Sequence, residues 1–150
     1  MQIQMGVGFG VFCVVAMGLA GHAAQGKPAQ GAKPAVSQAA AKALKNPVPA
    51  DTASVEAGKG IYAKRCAACH GLQGRGDGPA AAAMKEVKPA NLADAKWDHG
   101  GSDGEIFSTI KNGVPPKFDM DAWDGRIADK DIWNVVNYIK TLSKAAPAAK

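Results

Sequence analysis

The chain has 150 residues and a formal net charge of +5, because 18 Lys and Arg side chains outnumber 13 Asp and Glu. Six of the 18 basic residues lie before residue 50 or after residue 143, whereas all acidic residues lie between Asp51 and Asp131. Residues 51–142 therefore carry 12 basic and 13 acidic side chains. A nearly neutral segment without a basic stripe excludes nucleic acid as a partner, and the total length predicts a single domain.

The N-terminal 23 residues are predominantly apolar. Residues 5–20 carry no charge, and small residues fit a signal-peptidase site at Gly18–Ala20 or Gly21–Ala23. This pattern predicts a secretory signal peptide over residues 1–23 and export to the periplasm. The first ten residues hold no Lys or Arg, so an uncleaved membrane tether is the alternative.

Residues 24–50 are rich in Ala, Pro, Gln and Lys, with hardly a large apolar side chain. Such a composition cannot bury enough surface to offset the entropy lost on ordering. We therefore predict a disordered linker over 24–50 and a flexible tail over 144–150. The folded domain is predicted to span residues 51–143.

The first predicted helix follows Asp51-Thr52-Ala53-Ser54, where an Asp, Thr or Ser side chain serves as N-cap. Val55, Gly58, Tyr62 and Cys66 then recur on one helical face. Because glycine is costly inside a helix, we predict that Gly58 lets another helix approach closely.

The next motif is Cys66-Ala67-Ala68-Cys69-His70. Residues three and four apart lie on one helical face, so both thiols and the imidazole project together. This spacing is typical of covalent attachment of a c-type haem. A zinc site would need four ligands, for which the chain offers only Cys13 and, beyond the predicted signal peptide, His99. A redox dithiol would need strands that this sequence lacks.

A glycine-rich loop, Gly71–Gly78, separates this motif from Pro79, which suits the start of a short helix through Ala83. The second main helix is predicted to begin at a capping box, Ser102–Glu105, and to stop at Asn112-Gly113. The third is predicted from Asp129 to Leu142, with an apolar stripe along it. No alternating strand of useful length appears, so the predicted class is all-α.

Several motifs together resemble class I c-type cytochromes, most of all the bacterial mono-haem type. They are Cys66–His70, Gly74–Pro79, Lys88–Leu92, Ser102–Phe107, Asn112–Val114 and Asp131–Ile139. The resemblance covers residues 54–142. It implies three main helices, with shorter ones, wrapped around one covalently bound haem.

The resemblance also implies roles for single residues. Cys66 and Cys69 would bind the haem covalently, and His70 would be an axial ligand of its iron. Pro79 matches the proline whose backbone carbonyl accepts the other ring N–H of that histidine, a contact that fixes the orientation of the ring.

Met120 is the expected second axial ligand. It lies in an irregular segment with two prolines, between the second and third predicted helices, where the family places its ligand loop. Asp119 and Asp121 stand where the family has a small residue and a proline. Met84, His99 and an open position remain the alternatives.

An iron with protein ligands on both sides leaves no place for a substrate, so we expect one-electron transfer and not catalysis. The resemblance implies a monomeric periplasmic carrier between a dehydrogenase or quinol-oxidising complex and a terminal acceptor. The alternatives are a dedicated haem subunit of a dehydrogenase and an open-site haem protein that binds small ligands.

Overall fold

Helices form all the regular structure in the part of the chain that the computed structural model describes, residues 37–94, 96–116 and 119–145. The α-helices are α1 (Gln38–Ala43), α2 (Thr52–Arg65), α3 (Ala67–His70), α4 (Asp103–Asn112) and α5 (Asp129–Ala145), and a 3₁₀-helix spans Pro79–Ala83. The all-α class is confirmed. None of the described helices is long and apolar enough to cross a membrane.

The helix ends follow the local sequence signals. The Asp51 carboxylate accepts a hydrogen bond from the backbone N–H of Ser54 at 2.8 Å and caps α2. Ser102 and Glu105 form the predicted capping box at the start of α4, and Gly113 ends that helix with a φ of 72°. The third main helix is longer than predicted, since α5 continues through Ala145.

The core lies where α2 crosses α5. A Cβ at Gly58 would overlap the backbone carbonyl of Asn134, so the predicted close approach is confirmed. Tyr62 is fully buried beside Tyr138, with ring centroids 5.2 Å apart. The apolar stripe of α5 is buried along the same side; its members are Ile132, Val135, Val136 and Ile139.

Residues 37–50 depart from the predicted disorder. Ala41 of α1 is buried, and a Cβ at Gly104 would overlap the backbone of this segment. The Asn46 side chain donates a hydrogen bond to the Asn137 side chain at 2.8 Å. The prediction of a flexible linker therefore fails for residues 37–50, since hydrogen bonds, close backbone packing and the contact of Val48 with the core order them. The predicted signal peptide, the rest of the linker and residues 146–150 lie outside the described residues.

Candidate functional site

A cavity of about 540 Å³ opens between α2, α4, α5 and the irregular stretches that connect the helices. Its volume lies in the range of small-molecule and cofactor sites, which are mostly apolar. Cys66, Cys69, His70 and Met120 all line this cavity. The fold thus brings together four of the five residues that the sequence singled out.

Local backbone structure places the two cysteines and the histidine on one side of a single helical turn. Cys66 ends α2 with a hydrogen bond from its N–H to the Tyr62 carbonyl at 2.8 Å. The same residue begins α3, because its carbonyl accepts from the His70 N–H at 2.9 Å. Gly71 stops α3 with a φ of 75°, a conformation that costs glycine little.

Both thiols of this turn are free and half-buried. Burial raises the pKa of the Cys66 thiol to about 11, and the neighbouring Cys69 adds to the rise. At neutral pH the Cys66 thiol is therefore protonated and uncharged, which suits a group that faces an apolar cavity.

His70 is oriented by a backbone group. Its ring Nδ1 lies 3.0 Å from the carbonyl oxygen of Ala90. A carbonyl can only accept, so Nδ1 carries the hydrogen and the lone pair of Nε2 is left to bind a metal. Burial lowers the pKa of the imidazole, while the hydrogen bond to Ala90 opposes the shift. The ring is therefore held in the neutral form that ligates iron.

The role assigned to Pro79 needs correction. Its carbonyl is not the acceptor for His70, because the carbonyl of Ala90 occupies that place. Pro79 opens the 3₁₀-helix and lines a separate depression on the surface with Leu72 and Arg75. The physical reason is that a backbone acceptor is selected by the path of the chain, and that path brings residues 88–92 to the ring.

Met120 and its two alternatives share the cavity. Met120 is half-buried and packs against the core, and its backbone carbonyl accepts from the Val114 N–H at 3.0 Å. Met84 and His99 also line the cavity but are exposed. The exposure difference favours Met120, whose assignment as ligand stays a prediction.

The two aspartates beside Met120 line the cavity at its solvent-exposed edge. Asp119 and Asp121 are both exposed, and the Asp121 carboxylate lies 3.7 Å from the Arg126 guanidinium. Their charges are therefore screened by water and, at Asp121, by a cation.

Tyr62 is a site residue whose hydroxyl the sequence analysis missed. Its Oη donates to the Gly71 carbonyl at 2.8 Å, and that carbonyl also accepts from the Gly74 N–H at 3.1 Å. The Gly74 carbonyl in turn accepts from the Leu92 N–H at 2.6 Å. Burial raises the pKa of Tyr62, so its hydroxyl stays a donor. This chain of bonds links α2 to the segment that holds Ala90.

The residues at this cavity fit the covalently held haem that the sequence predicts. Two free thiols, an imidazole with an available Nε2 and a thioether face one mostly apolar space. Within the described ranges, no group of three or more His, Cys, Asp and Glu residues is arranged to hold a metal ion on its own.

Comparisons with known proteins agree with this geometry. Residues 55–143 match the model of the family described as Cytochrome c. The cbb3-type cytochrome c oxidase subunit FixP of Azorhizobium caulinodans is 34% identical over 101 residues, which cover 67% of this chain and 31% of the relative. Subunit CcoP of Azospirillum brasilense is 35% identical over 92 residues, which cover 61% of this chain and 30% of the relative. The chain thus spans under a third of the length of these relatives.

Solved structures have the same fold. A chain of a reducing HAO-like protein complex of Kuenenia stuttgartiensis superposes with a TM-score of 0.59 at 27% identity, covering 66% of this chain and 49% of that one. Cytochrome cL of Methylophaga aminisulfidivorans superposes with a TM-score of 0.50 at 19% identity, covering 73% and 68%, and supports the fold alone.

Proposed function

Because this chain belongs to the cytochrome c family and is an electron-transfer haem protein, we propose that it works as a monomeric periplasmic carrier of single electrons. It accepts an electron from a dehydrogenase or a quinol-oxidising complex and passes it to a terminal acceptor. It holds one covalently attached haem and catalyses no reaction of its own. The observation that carries the proposal is the shared cavity of Cys66, Cys69, His70 and Met120.

Each of these residues has a distinct task. The haem, when bound, supplies an iron that alternates between two oxidation states one electron apart. Cys66 and Cys69 would hold it by thioether bonds, with His70 and Met120 as the axial ligands. A thioether opposite an imidazole favours the reduced iron and raises the reduction potential. Because His70 and Met120 would both ligate the iron, no position would be left for a substrate, which supports transfer over catalysis.

Exposed apolar side chains next to the attachment turn, with the charged Arg75 and Asp77 among them, support docking of redox partners there. Leu72 is 71% exposed, and Ala68 and Pro79 are exposed beside it. The 3₁₀-helix continues this surface with exposed alanines and ends at Met84, which is 36% exposed. Exposed apolar surface of this kind is typical of protein contacts. A brief contact at this surface would bring a partner close to Cys66 and Cys69.

A second candidate function is that of a haem subunit dedicated to one larger enzyme. The similarity to FixP and CcoP favours it, since both are named as subunits of cbb3-type oxidases. In that case the terminal acceptor is an oxidase to which this chain stays bound.

Cell fractionation with spectroscopy tests the proposal. We expect the periplasmic fraction to contain a red protein that keeps its haem on a denaturing gel. We expect it to titrate as a single one-electron couple and to bind no carbon monoxide when reduced.

Cys13→Ser should leave haem attachment unchanged, whereas Cys66→Ser should remove one thioether. A colourless exported chain with Cys66 and Cys69 reactive toward a thiol reagent would contradict the proposal. Constant co-purification with a membrane oxidase would favour the second candidate instead.

A further inference from the structure

Residues 37–49 form a strap across the outside of α4 and α5. The backbone carbonyls of Ala41 and Leu44 lie so close to Gly104 that a Cβ there would overlap them. Asn46 donates a side-chain hydrogen bond to Asn137 at 2.8 Å. The strap thus contacts the start of α4 through its backbone, and it contacts α5 through the hydrogen bond between the Asn46 and Asn137 side chains.

A buried polar network fixes the end of the strap to two helices. The Asn137 side-chain nitrogen lies 3.2 Å from the carbonyls of both Val48 and Pro49, and 2.8 Å from the Ser54 hydroxyl. The Ser54 hydroxyl donates to the Asn134 side chain at 2.8 Å. Removing any one of these partners would leave buried polar atoms without a hydrogen bond, which costs more than the bond itself contributes.

The strap and the cavity lie on opposite faces of α4 and α5. An α-helix turns about 100° per residue, so Ile106 and Ile110 lie roughly 200° and 240° around α4 from Gly104. Both isoleucines line the cavity. On α5, Ile139 lines the cavity as well, and it lies roughly 200° around the helix from Asn137.

From this geometry we propose that residues 37–49 are a docked part of the domain, so that the chain enters the domain on the side of α4 and α5 that faces away from the cavity. The inference goes beyond electron transfer, because it holds whether the chain before residue 37 is anchored in a membrane or shortened by processing.

Two glycine substitutions in the full-length haem protein test the strap. Gly104→Ala adds a methyl group that overlaps the strap backbone, while Gly60→Ala in α2 adds the same group where nothing lies within 4 Å. Trypsin cleavage after Lys42 and Lys45, both in the strap, reports its release. We expect Gly104→Ala to speed cleavage at these two sites by about tenfold or more, with Gly60→Ala unchanged.

Asn46→Ala is the second variant, since it removes two hydrogen bonds, one to the Asn137 side chain and one from the Val48 N–H, without adding an atom. It should speed cleavage at the same two lysines and leave the haem spectrum unchanged. Equal cleavage rates in wild type, Gly104→Ala and Asn46→Ala would overturn the proposal. Because cleavage does not depend on the redox role, that result would leave the proposed function standing.

A pair of fluorescent labels tests the side of attachment. In a Cys13→Ser background, one label is placed at Ala39→Cys in the strap and another at Asp98→Cys in the cavity lining, both at exposed positions. Haem quenches fluorescence more strongly at shorter distance, so we expect the longer lifetime at residue 39. Equal quenching at the two positions would overturn the proposal. A colourless wild type would instead count against the proposed function.

Discussion

The imidazole of His70 and the backbone carbonyl of Ala90 lie 3.0 Å apart, although 20 residues separate them in the chain. Because the acceptor is a backbone atom, the path of residues 88–92 orients the ring, and the side chain at position 90 has no part in it. Gly76 controls that path, since a Cβ there would overlap the Pro89 carbonyl oxygen. The orientation of the expected iron ligand thus depends on a glycine in the preceding loop.

Gly76→Ala should therefore rotate the His70 ring. Gly125→Ala is the matched control, because both glycines have a φ of 73° but nothing lies within 4 Å of a Cβ at Gly125. Each substitution should lower the free energy of unfolding by roughly 1–2 kcal/mol, from the left-handed backbone alone. Only Gly76→Ala should shift the His70 ring signals in the proton NMR spectrum of the haem protein. Identical shifts in both variants would disprove the dependence.

Met120→Ala should convert the low-spin absorption spectrum to a high-spin one, because the half-buried thioether is replaced by a methyl group. The reduced variant should then bind carbon monoxide. Met84→Ala and His99→Ala should keep the wild-type spectrum, since both side chains are exposed at the cavity rim. A low-spin spectrum that survives in Met120→Ala but is lost in Met84→Ala or His99→Ala would reassign the ligand.

The parts of the fold that the sequence predicted depend on signals within a few residues. Each of these signals lies within a single helical turn: the N-cap at Asp51, the capping box of Ser102 and Glu105, and the helix end at Gly113. The attachment turn Cys66–His70 is equally local. Gly58 was predictable for a different reason, because a glycine inside an otherwise favourable helix needs a tertiary explanation.

The parts that the sequence did not predict depend on contacts between distant backbone segments. Any residue type can offer the carbonyl that Ala90 offers to His70, so no side-chain pattern marks the acceptor. The strap is held by asparagine amides, by contact with Gly104 and by the packing of Val48, and its composition is that of a disordered segment. Composition indicates how much apolar surface a segment can bury, but it does not indicate whether specific hydrogen bonds to the rest of the domain will order that segment.

Tyr62→Phe should lower the free energy of unfolding by about 0.5–1.5 kcal/mol, the usual net contribution of one hydrogen bond. The loss stays moderate because the Gly71 carbonyl keeps its bond from Gly74. Tyr138→Phe is the control, since its hydroxyl lies at 3.5 Å from the Leu72 carbonyl in an exposed contact. It should change the unfolding free energy by less than about 0.5 kcal/mol. Urea titration of the three proteins measures both differences, and equal losses would refute the assignment.

Glu105 should make the stability of the domain depend on pH in the acid range. Hydrogen bonds from the Ser102 hydroxyl at 2.7 Å and from the Ser102 N–H at 3.0 Å lower its pKa below the usual 4.5. The unfolded chain therefore takes up a proton at Glu105 before the folded protein does. The stabilisation by the charged Glu105 is complete above pH 4.5, and it is lost as the pH falls through the lower pKa of Glu105 in the folded protein.

Glu105→Gln isolates this contribution, because the amide keeps an acceptor oxygen but cannot titrate. We expect the difference in unfolding free energy between wild type and Glu105→Gln to be constant at neutral pH and to shrink between about pH 5 and pH 3. Glu56→Gln is the matched control, since Glu56 is an exposed carboxylate 3.9 Å from Lys59. Its difference from wild type should stay small across the range. If the Glu105→Gln difference is the same at both ends of the range, the capping box does not favour the charged carboxylate.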